Sequence, residues 1–184
     1  MSNTSATGGY LLPSGNQAEY DKQLTNILQE AISGITGIEG ALVRRKYQPV
    51  TPKMPEPHTN WVSFYVHSTT PDDSPVITHK GDASGHDESV RHETLSILCS
   101  FYGENGEEKA NIFKDGLAIP QNMFVLKSKG FGLIETGQII AVPEFINQVW
   151  IRRFDVLIAL RRKTTRNYAV LNLLGTAENQ VITD

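Results

Sequence analysis

Two stretches of strict alternation constrain this chain more than anything else in it. From Val90 to Tyr102, the residues Leu95, Ile97, Cys99 and Phe101 fall on one side of an extended backbone and His92, Thr94, Ser96 and Ser100 on the other. Nearer the C-terminus, Trp150, Arg152, Phe154, Val156, Ile158 and Leu160 alternate with Ile151, Arg153, Asp155, Leu157 and Ala159. A period of two belongs to a β-strand with one buried face, so both stretches predict long strands that need an apolar layer against them.

Helices supply that layer. Tyr20, Leu24, Ile27, Leu28, Ala31 and Ile32 recur at i, i+4, i+7 and i+8, one stripe of a helix, and Gly34 is placed as its terminator. A second helix is expected from Asn105, a capping residue, with Glu107 and Glu108 in the first turn, where the helix dipole favours acids. Ala110, Phe113 and Leu117 continue it to about Gly116. Shorter strands are predicted at Ala41–Tyr47, Trp61–His67, Met123–Leu126 and Tyr168–Leu174, with a hairpin over Gly132–Val142 turning at Thr136-Gly137. Pro49, Pro52, Pro55 and Pro57 make an extended connection, because prolines cannot donate to a central ladder. The stretch from Ser68 to Glu88, with only Val76 and Ile77 apolar, reads as a long loop or a protruding hairpin after a turn at Thr69–Asp73.

Strands outnumber helices and do not alternate with them, so the fold class is α+β: an antiparallel or mixed β-sheet packed against two helices, with extended loops and an N-terminal arm. The 184 residues suit a single α+β domain over 17–175 with a loop projecting at 68–88, flanked by a flexible arm over 1–16 and a polar tail over 176–184. Nothing in the chain approaches the ~20 apolar residues that span a bilayer, and the N-terminus lacks the pattern of a signal peptide. A soluble protein made in the cytoplasm is the expectation.

Catalytic chemistry finds no foothold. The lone Cys99 excludes an intrachain disulfide and a thiolate zinc site, and its alternating-face neighbours Ile97 and Phe101 make it a buried thiol rather than a nucleophile. His79, His86 and His92 lie near Asp82, Asp87 and Glu93, but His92-Glu93 lacks the second histidine of the zinc-protease helix and sits on a strand. Gly81-Asp82-Ala83-Ser84-Gly85 has its serine one place too late for a nucleophile elbow. Gly130-Phe131-Gly132 meets Glu135 where the third glycine of a dinucleotide fingerprint belongs. No catalytic residue, metal or cofactor is expected.

The charge is more informative in its placement than in its net value of -3, which argues against a general DNA- or membrane-coating protein. Between Trp150 and Asn167, six basic residues meet one acid, Asp155. Arg152-Arg153 and Arg161-Arg162 bracket an apolar strand, and adjacent strand positions face opposite ways, so one arginine of each pair must leave the core or meet an acid. No aromatic interleaving accompanies these charges, which disfavours direct DNA contact. Arg152, Arg153, Arg161 and Arg162, with Arg44 and Arg45 and the apolar pair Val76 and Ile77, are the candidates for contacts with other subunits or partner proteins.

In order along the chain, Leu42-Val43-Arg44-Arg45, Gln48-Pro49, His92-Glu93, Ser100-Phe101-Tyr102-Gly103 and Asp115-Gly116-Leu117-Ala118-Ile119-Pro120-Gln121-Asn122 form a series of blocks. Val142-Pro143-Glu144, Trp150-Ile151-Arg152-Arg153-Phe154-Asp155, Leu160-Arg161-Arg162 and Arg166-Asn167-Tyr168-Ala169-Val170 continue it. From about Leu24 to Leu173 this pattern resembles the neck (tail) terminator proteins of bacteriophages. The resemblance implies a structural virion protein without catalysis: a homohexameric ring that caps the tail tube and joins it to the neck or connector. It implies the tail tube protein and the connector as partners, a sheath as a further candidate, and genomic DNA passing through the lumen without tight binding. Two other readings stay open, another neck or head-tail joining ring protein and, from a different class, a small metal-dependent hydrolase using the His- and Asp-rich loop.

Overall fold

The structure, a computed structural model, describes residues 3–15, 18–50, 52–81, 85–146 and 148–171. Along the chain run helix α1 (Asp21–Thr36), a short 3-10 turn (Gly40–Leu42), β1 (Val43–Arg45), β2 (Trp61–Pro71), β3 (Val76–Lys80) and β4 (His86–Tyr102). Then come α2 (Gly106–Leu117), α3 (Pro120–Ser128), β5 (Phe131–Ala141), β6 (Glu144–Ile146), β7 (Val149–Ile151) and β8 (Arg153–Tyr168). The main sheet has the order β1-β2-β4-β8-β5, with β3 also paired to β4, while β6 and β7 form a separate two-stranded ribbon. β1 lies parallel to β2, whereas the β2–β4, β3–β4 and β5–β8 pairs are antiparallel, so the sheet is mixed and the class α+β.

The chain divides into two compact units. Residues 18–73 and 92–164 make the larger, which contains the whole hydrophobic core. Its logic is one-sided burial. Val62 and Phe64 of β2, Leu95, Ile97, Cys99 and Phe101 of β4, and Val156, Ile158 and Leu160 of β8 are at most 3% exposed and belong to one cluster with Leu28 and Ile32 of α1 and Phe113 and Leu117 of α2. The alternate residues of the same strands, among them Tyr65, Leu98 and Leu157, line a groove on the opposite face. The expected alternation of both long strands is therefore real, and it separates a face covered by helices from one that is not.

Several local expectations are corrected. α1 does not stop at Gly34 but runs to Thr36 and ends at Gly37, whose φ of +69° is the left-handed conformation that glycine adopts without strain; its N–H donates to the Ser33 carbonyl at 2.9 Å. α2 begins as expected, but the Asn105 side chain makes no cap; its backbone N–H instead donates to Asn60 Oδ1 at 2.9 Å. Packing requires Gly116 of α2, since a Cβ there would stand 2.3 Å from Ile35 Cγ2 of α1.

Met123–Leu126 is not a strand but the middle of a third helix, α3, begun by Pro120 in its first turn, where proline's missing donor costs nothing. Thr136-Gly137 does not turn a hairpin; β5 stays paired with β8 and absorbs the glycine in a register shift between Thr136 and Ile139. The second alternating stretch is interrupted at Arg152, with Val149–Ile151 diverted into the ribbon with β6, and β8 then runs through Tyr168, leaving no separate strand among residues 169–171. β2 passes through Thr69-Thr70 to Pro71 instead of turning there.

The smaller unit takes the described residues among 1–17, 74–91 and 165–184. In it, β3 pairs antiparallel with the first residues of β4 from Val76↔Val90 to Lys80↔His86, so of the two expectations for this stretch, loop or hairpin, the strands form the hairpin. Ser14 bridges Asn167, and Ser5 N–H donates to the Ala169 carbonyl at 3.0 Å. The expected polar tail at 176–184 and residues 172–174 of the expected last strand lie outside the described residues.

One-sided burial makes a direct prediction. Phe113→Ala, at 1% exposure, should destabilise the fold by about 3–5 kcal/mol in denaturant unfolding, and Leu157→Ala, 45% exposed on the other face, by less than about 1 kcal/mol. Equal losses would mean that both faces of the sheet are packed.

Candidate functional site

The arginines that bracket β8 are separated by strand geometry. Arg162 shares the helix-covered face with Leu160 and is 5% exposed, a position where a cation needs full compensation. It has that compensation. Nε donates to Glu93 Oε2 at 2.9 Å with Nη2 2.8 Å from the same oxygen, Nη1 donates to the Glu19 carbonyl at 2.6 Å, and the guanidinium lies 4.2 Å from the Tyr20 ring centroid. Its neighbour Arg161 faces the other way, 46% exposed, with Nη2 3.0 Å from Asp72 Oδ2; His92 Nδ1 lies 3.8 Å from the same oxygen.

At the other end of β8 the same division recurs. Arg153 grips Asp155 two residues on, Nε to Oδ1 at 2.8 Å and Nη2 to Oδ2 at 2.6 Å, and its Nη1 also donates to Glu144 of β6. Burial works against the Asp155 carboxylate, but the Arg153 and Ser100 hydrogen bonds and the Arg153 and Lys46 charges outweigh it and hold the carboxyl below its usual range. Beside them, burial and the Glu144 carboxylate push the Tyr102 hydroxyl up to about 12. Arg152 is 62% exposed, with Nη2 3.5 Å from Glu107 Oε2.

On β1, Arg44 Nη1 donates to the Lys53 carbonyl at 2.7 Å, its guanidinium is 6.0 Å from the Trp61 ring, and Trp61 stacks on Tyr102 at 4.2 Å. Lys46 Nζ sits 5.2 Å from the Tyr65 ring. Cations therefore do lie over aromatic rings, some brought together across paired strands and others, such as Arg152 over Phe154 at 5.4 Å, between near neighbours in sequence that the expectation of no aromatic interleaving overlooked. Arg45 is exposed. Val76 and Ile77 are 66% and 64% exposed on β3, in the smaller unit. The eight candidates thus do not converge on one site: Arg153 and Arg162 are held in buried ion pairs of their own chain, and Arg45, Arg152, Arg161, Val76 and Ile77 are exposed, Arg152 and Arg161 each beside a carboxylate.

Chemistry is equally placed against a reactive centre. Cys99 is 0% exposed, and burial, aided by the negative Asp155, pushes its thiol well above the ordinary range, so no thiolate forms near neutrality. His79 Nδ1 is 2.7 Å from Asp87 Oδ1 in a cross-strand pair. Among the described residues, no group of three or more His, Cys, Asp and Glu could hold a metal ion, and no helix is long and apolar enough to cross a membrane.

What the surface does offer is apolar area. α3 exposes Phe124 (72%) and Val125 (55%), and the β6–β7 ribbon exposes Phe145 and Trp150, whose rings lie 5.0 Å apart. Sequence reading did not select them, because a run such as Met123-Phe124-Val125-Leu126 has no periodicity to show which member faces out.

The ion pairs predict a graded response. Removing one partner of a buried pair strands the other charge, so Arg162→Ala or Glu93→Ala should each cost about 3–5 kcal/mol of unfolding free energy, while Arg152→Ala should cost no more than about 1 kcal/mol. Chemical denaturation of the three variants checks the order, and an Arg162→Ala chain as stable as the parent would refute the structural role.

The sequence profile of the family described as phage neck terminator protein matches residues 22–184. Among curated proteins, none matches the sequence at a significant level.

Proposed function

Since the chain belongs to the phage neck terminator family, we propose that it acts as the structural subunit of a ring that ends tail-tube growth and joins the tube to the neck or connector. A neck protein is part of the virion, and the genome would pass through the lumen of such a ring. The family match across most of the chain carries this reading. A role without catalysis follows from the family, and two features agree with it: the Cys99 thiol is buried and neutral, and the carboxylates beside Arg153 and Arg162 are engaged in ion pairs. Of the sequence candidates, Arg45, Arg152, Val76 and Ile77 are the best exposed for contacts with other copies or with tail proteins.

The experiment is genetic and visual. Virions assembled without this chain should yield full heads and separate tails of irregular length, and a label on the chain should decorate the head-tail junction in electron micrographs. Label at the tail tip, or joined particles of normal tail length without the chain, would overturn the reading.

DNA binding is governed by the balance of free and paired cations. Each phosphate contact by a free cation releases counterions and adds salt-dependent affinity, which would brake a duplex moving through a channel. Here Arg153, Arg161 and Arg162 each face a carboxylate, and the net charge is -3. The purified protein should bind non-specific duplex only weakly at physiological salt, with a dissociation constant above about 10 µM, in the range of non-specific contacts. Submicromolar, steeply salt-dependent binding in an anisotropy titration would place the arginines on the channel wall instead.

A further inference from the structure

Strand β1 and the connection after it carry charge largely of one sign. From Ala41 to Pro57 stand four cations, Arg44, Arg45, Lys46 and Lys53, against one acid, Glu56. Three of the cations are consecutive. Arg44, Arg45 and Lys46 line an open pocket of about 370 Å³ together with Tyr47, Met54 and Trp61, and no acid is among the described residues that line it. Arg44 and Lys46 are partly buried and Arg45 is exposed.

What holds these cations in place is neutral. Arg44 Nε donates to the Ala41 carbonyl at 3.2 Å and Nη1 to the Lys53 carbonyl at 2.7 Å, with the guanidinium over the Trp61 ring. Lys46 Nζ lies 5.2 Å from the Tyr65 ring and 5.7 Å from that of Tyr47. Among the described residues none of the three makes an ion pair, and Glu56 stands 3.8 Å from Lys53 instead. The Lys46 charge acts on Asp155, but Arg153 already grips both oxygens of that carboxylate. Carbonyl dipoles and ring faces orient a cation without cancelling its charge, so the pocket keeps all three. The arginines bracketing β8 differ in this respect, since Arg152, Arg153, Arg161 and Arg162 each face a carboxylate. A recess lined by one sign of charge and by apolar walls focuses its field on whatever enters it.

We propose that this pocket binds an acidic segment of a partner protein, with carboxylates on Arg44, Arg45 and Lys46 and an apolar side chain of the same segment against Met54 and Trp61. The volume is that of a small ligand site, enough for a few side chains. The guanidinium fork matches a carboxylate, and Arg44 is already held in place, so binding costs it little further freedom. Nucleic acid fits less well. A duplex carries its phosphates on a rigid outer surface with the bases stacked inside, and so brings charge without apolar surface to a recess. A single strand binds by stacking its bases on open ring faces. Here Tyr102 and Arg44 lie over Trp61, and Lys46 lies over Tyr65. The inference adds a contact to the neck reading and does not depend on it.

The test uses the purified full chain and a labelled peptide of repeating Glu-Leu-Glu-Pro, beside the same peptide with Gln in place of Glu. Anisotropy at physiological salt should show the acidic peptide bound at least about 10-fold more tightly than the Gln peptide. Arg45→Glu and Lys46→Gln, both checked for native circular dichroism, should each weaken that binding by on the order of 10-fold. Should Arg45→Glu fold poorly, Arg45→Gln serves. Arg152→Glu, at an exposed position outside the pocket lining, should leave the affinity unchanged. Trp150→Phe leaves Trp61 as the sole tryptophan, and its emission should change as the acidic peptide fills the pocket. Equal affinity for the two peptides, no binding of either, an equal loss in Arg152→Glu, or Trp61 emission that does not respond would each overturn the site. So would an oligonucleotide, single-stranded or duplex, that binds more tightly than the acidic peptide and loses that affinity in Arg45→Glu. Self-association of the chain that Arg45→Glu abolishes would assign the pocket to a second copy and overturn the partner segment. None of these results bears on the neck reading, which labelling of virions tests separately.

Discussion

Everything in the larger unit depends on burying one face of β4 and β8 beneath α1 and α2. Leu95, Ile97, Cys99, Phe101, Val156, Ile158 and Leu160 are at most 3% exposed, and each such side chain contributes on the order of 1.5–3 kcal/mol by leaving water. A strand cannot slip by one residue without moving this set to the solvent side, so the same burial fixes register as well as stability. It also fixes what the opposite face can be: the alternate residues Tyr65, Leu98, Asp155 and Leu157 are committed to a surface with no layer of this unit's helices upon it.

The fate of the arginines is a consequence of that register. A basic pair on a strand sends one member inward, and the inward member survives only with an acid brought to it by the neighbouring strand. Glu93 of β4 does this for Arg162, and because Glu93 has the same parity as Leu95 it too belongs to the covered face. At the other end Arg153 points away from that face and is neutralised by Asp155 on its own strand and Glu144 on the ribbon. Charge that looks like a binding patch in the linear sequence in this way largely holds the ends of one strand in place.

How far this was legible depends on the range of the interaction. Alternation is local, so β4 and most of β8 are visible in the residues themselves, as are the apolar stripe of α1 and the acids that open α2. α3 is not, because four consecutive apolar residues fit a strand or a helix equally well and only Pro120 hints at the answer. The break at Arg152 is hidden too, since Val149–Ile151 alternates just as β8 does and leaves the main sheet only because β6 offers a partner. Gly34 and Gly37 both fit a helix end by residue type, and the choice falls to the one whose backbone turns left-handed. For the site the difficulty is sharper. Nothing near Arg162 in sequence reveals that its carboxylate lies 69 residues away, and nothing near Arg44 or Lys46 reveals that paired strands set them over Trp61 and Tyr65.

A structural protein of a phage neck faces a different physical problem from an enzyme. An enzyme hides a strained, charged site inside a stable frame, whereas here the charges inside are satisfied and the unsatisfied features are apolar and outside. Phe124, Phe145 and Trp150 contribute little to the folded chain alone, and exposing them carries a risk of non-specific association. The Arg162–Glu93 pair, buried in the larger unit, acts on the folding of the chain.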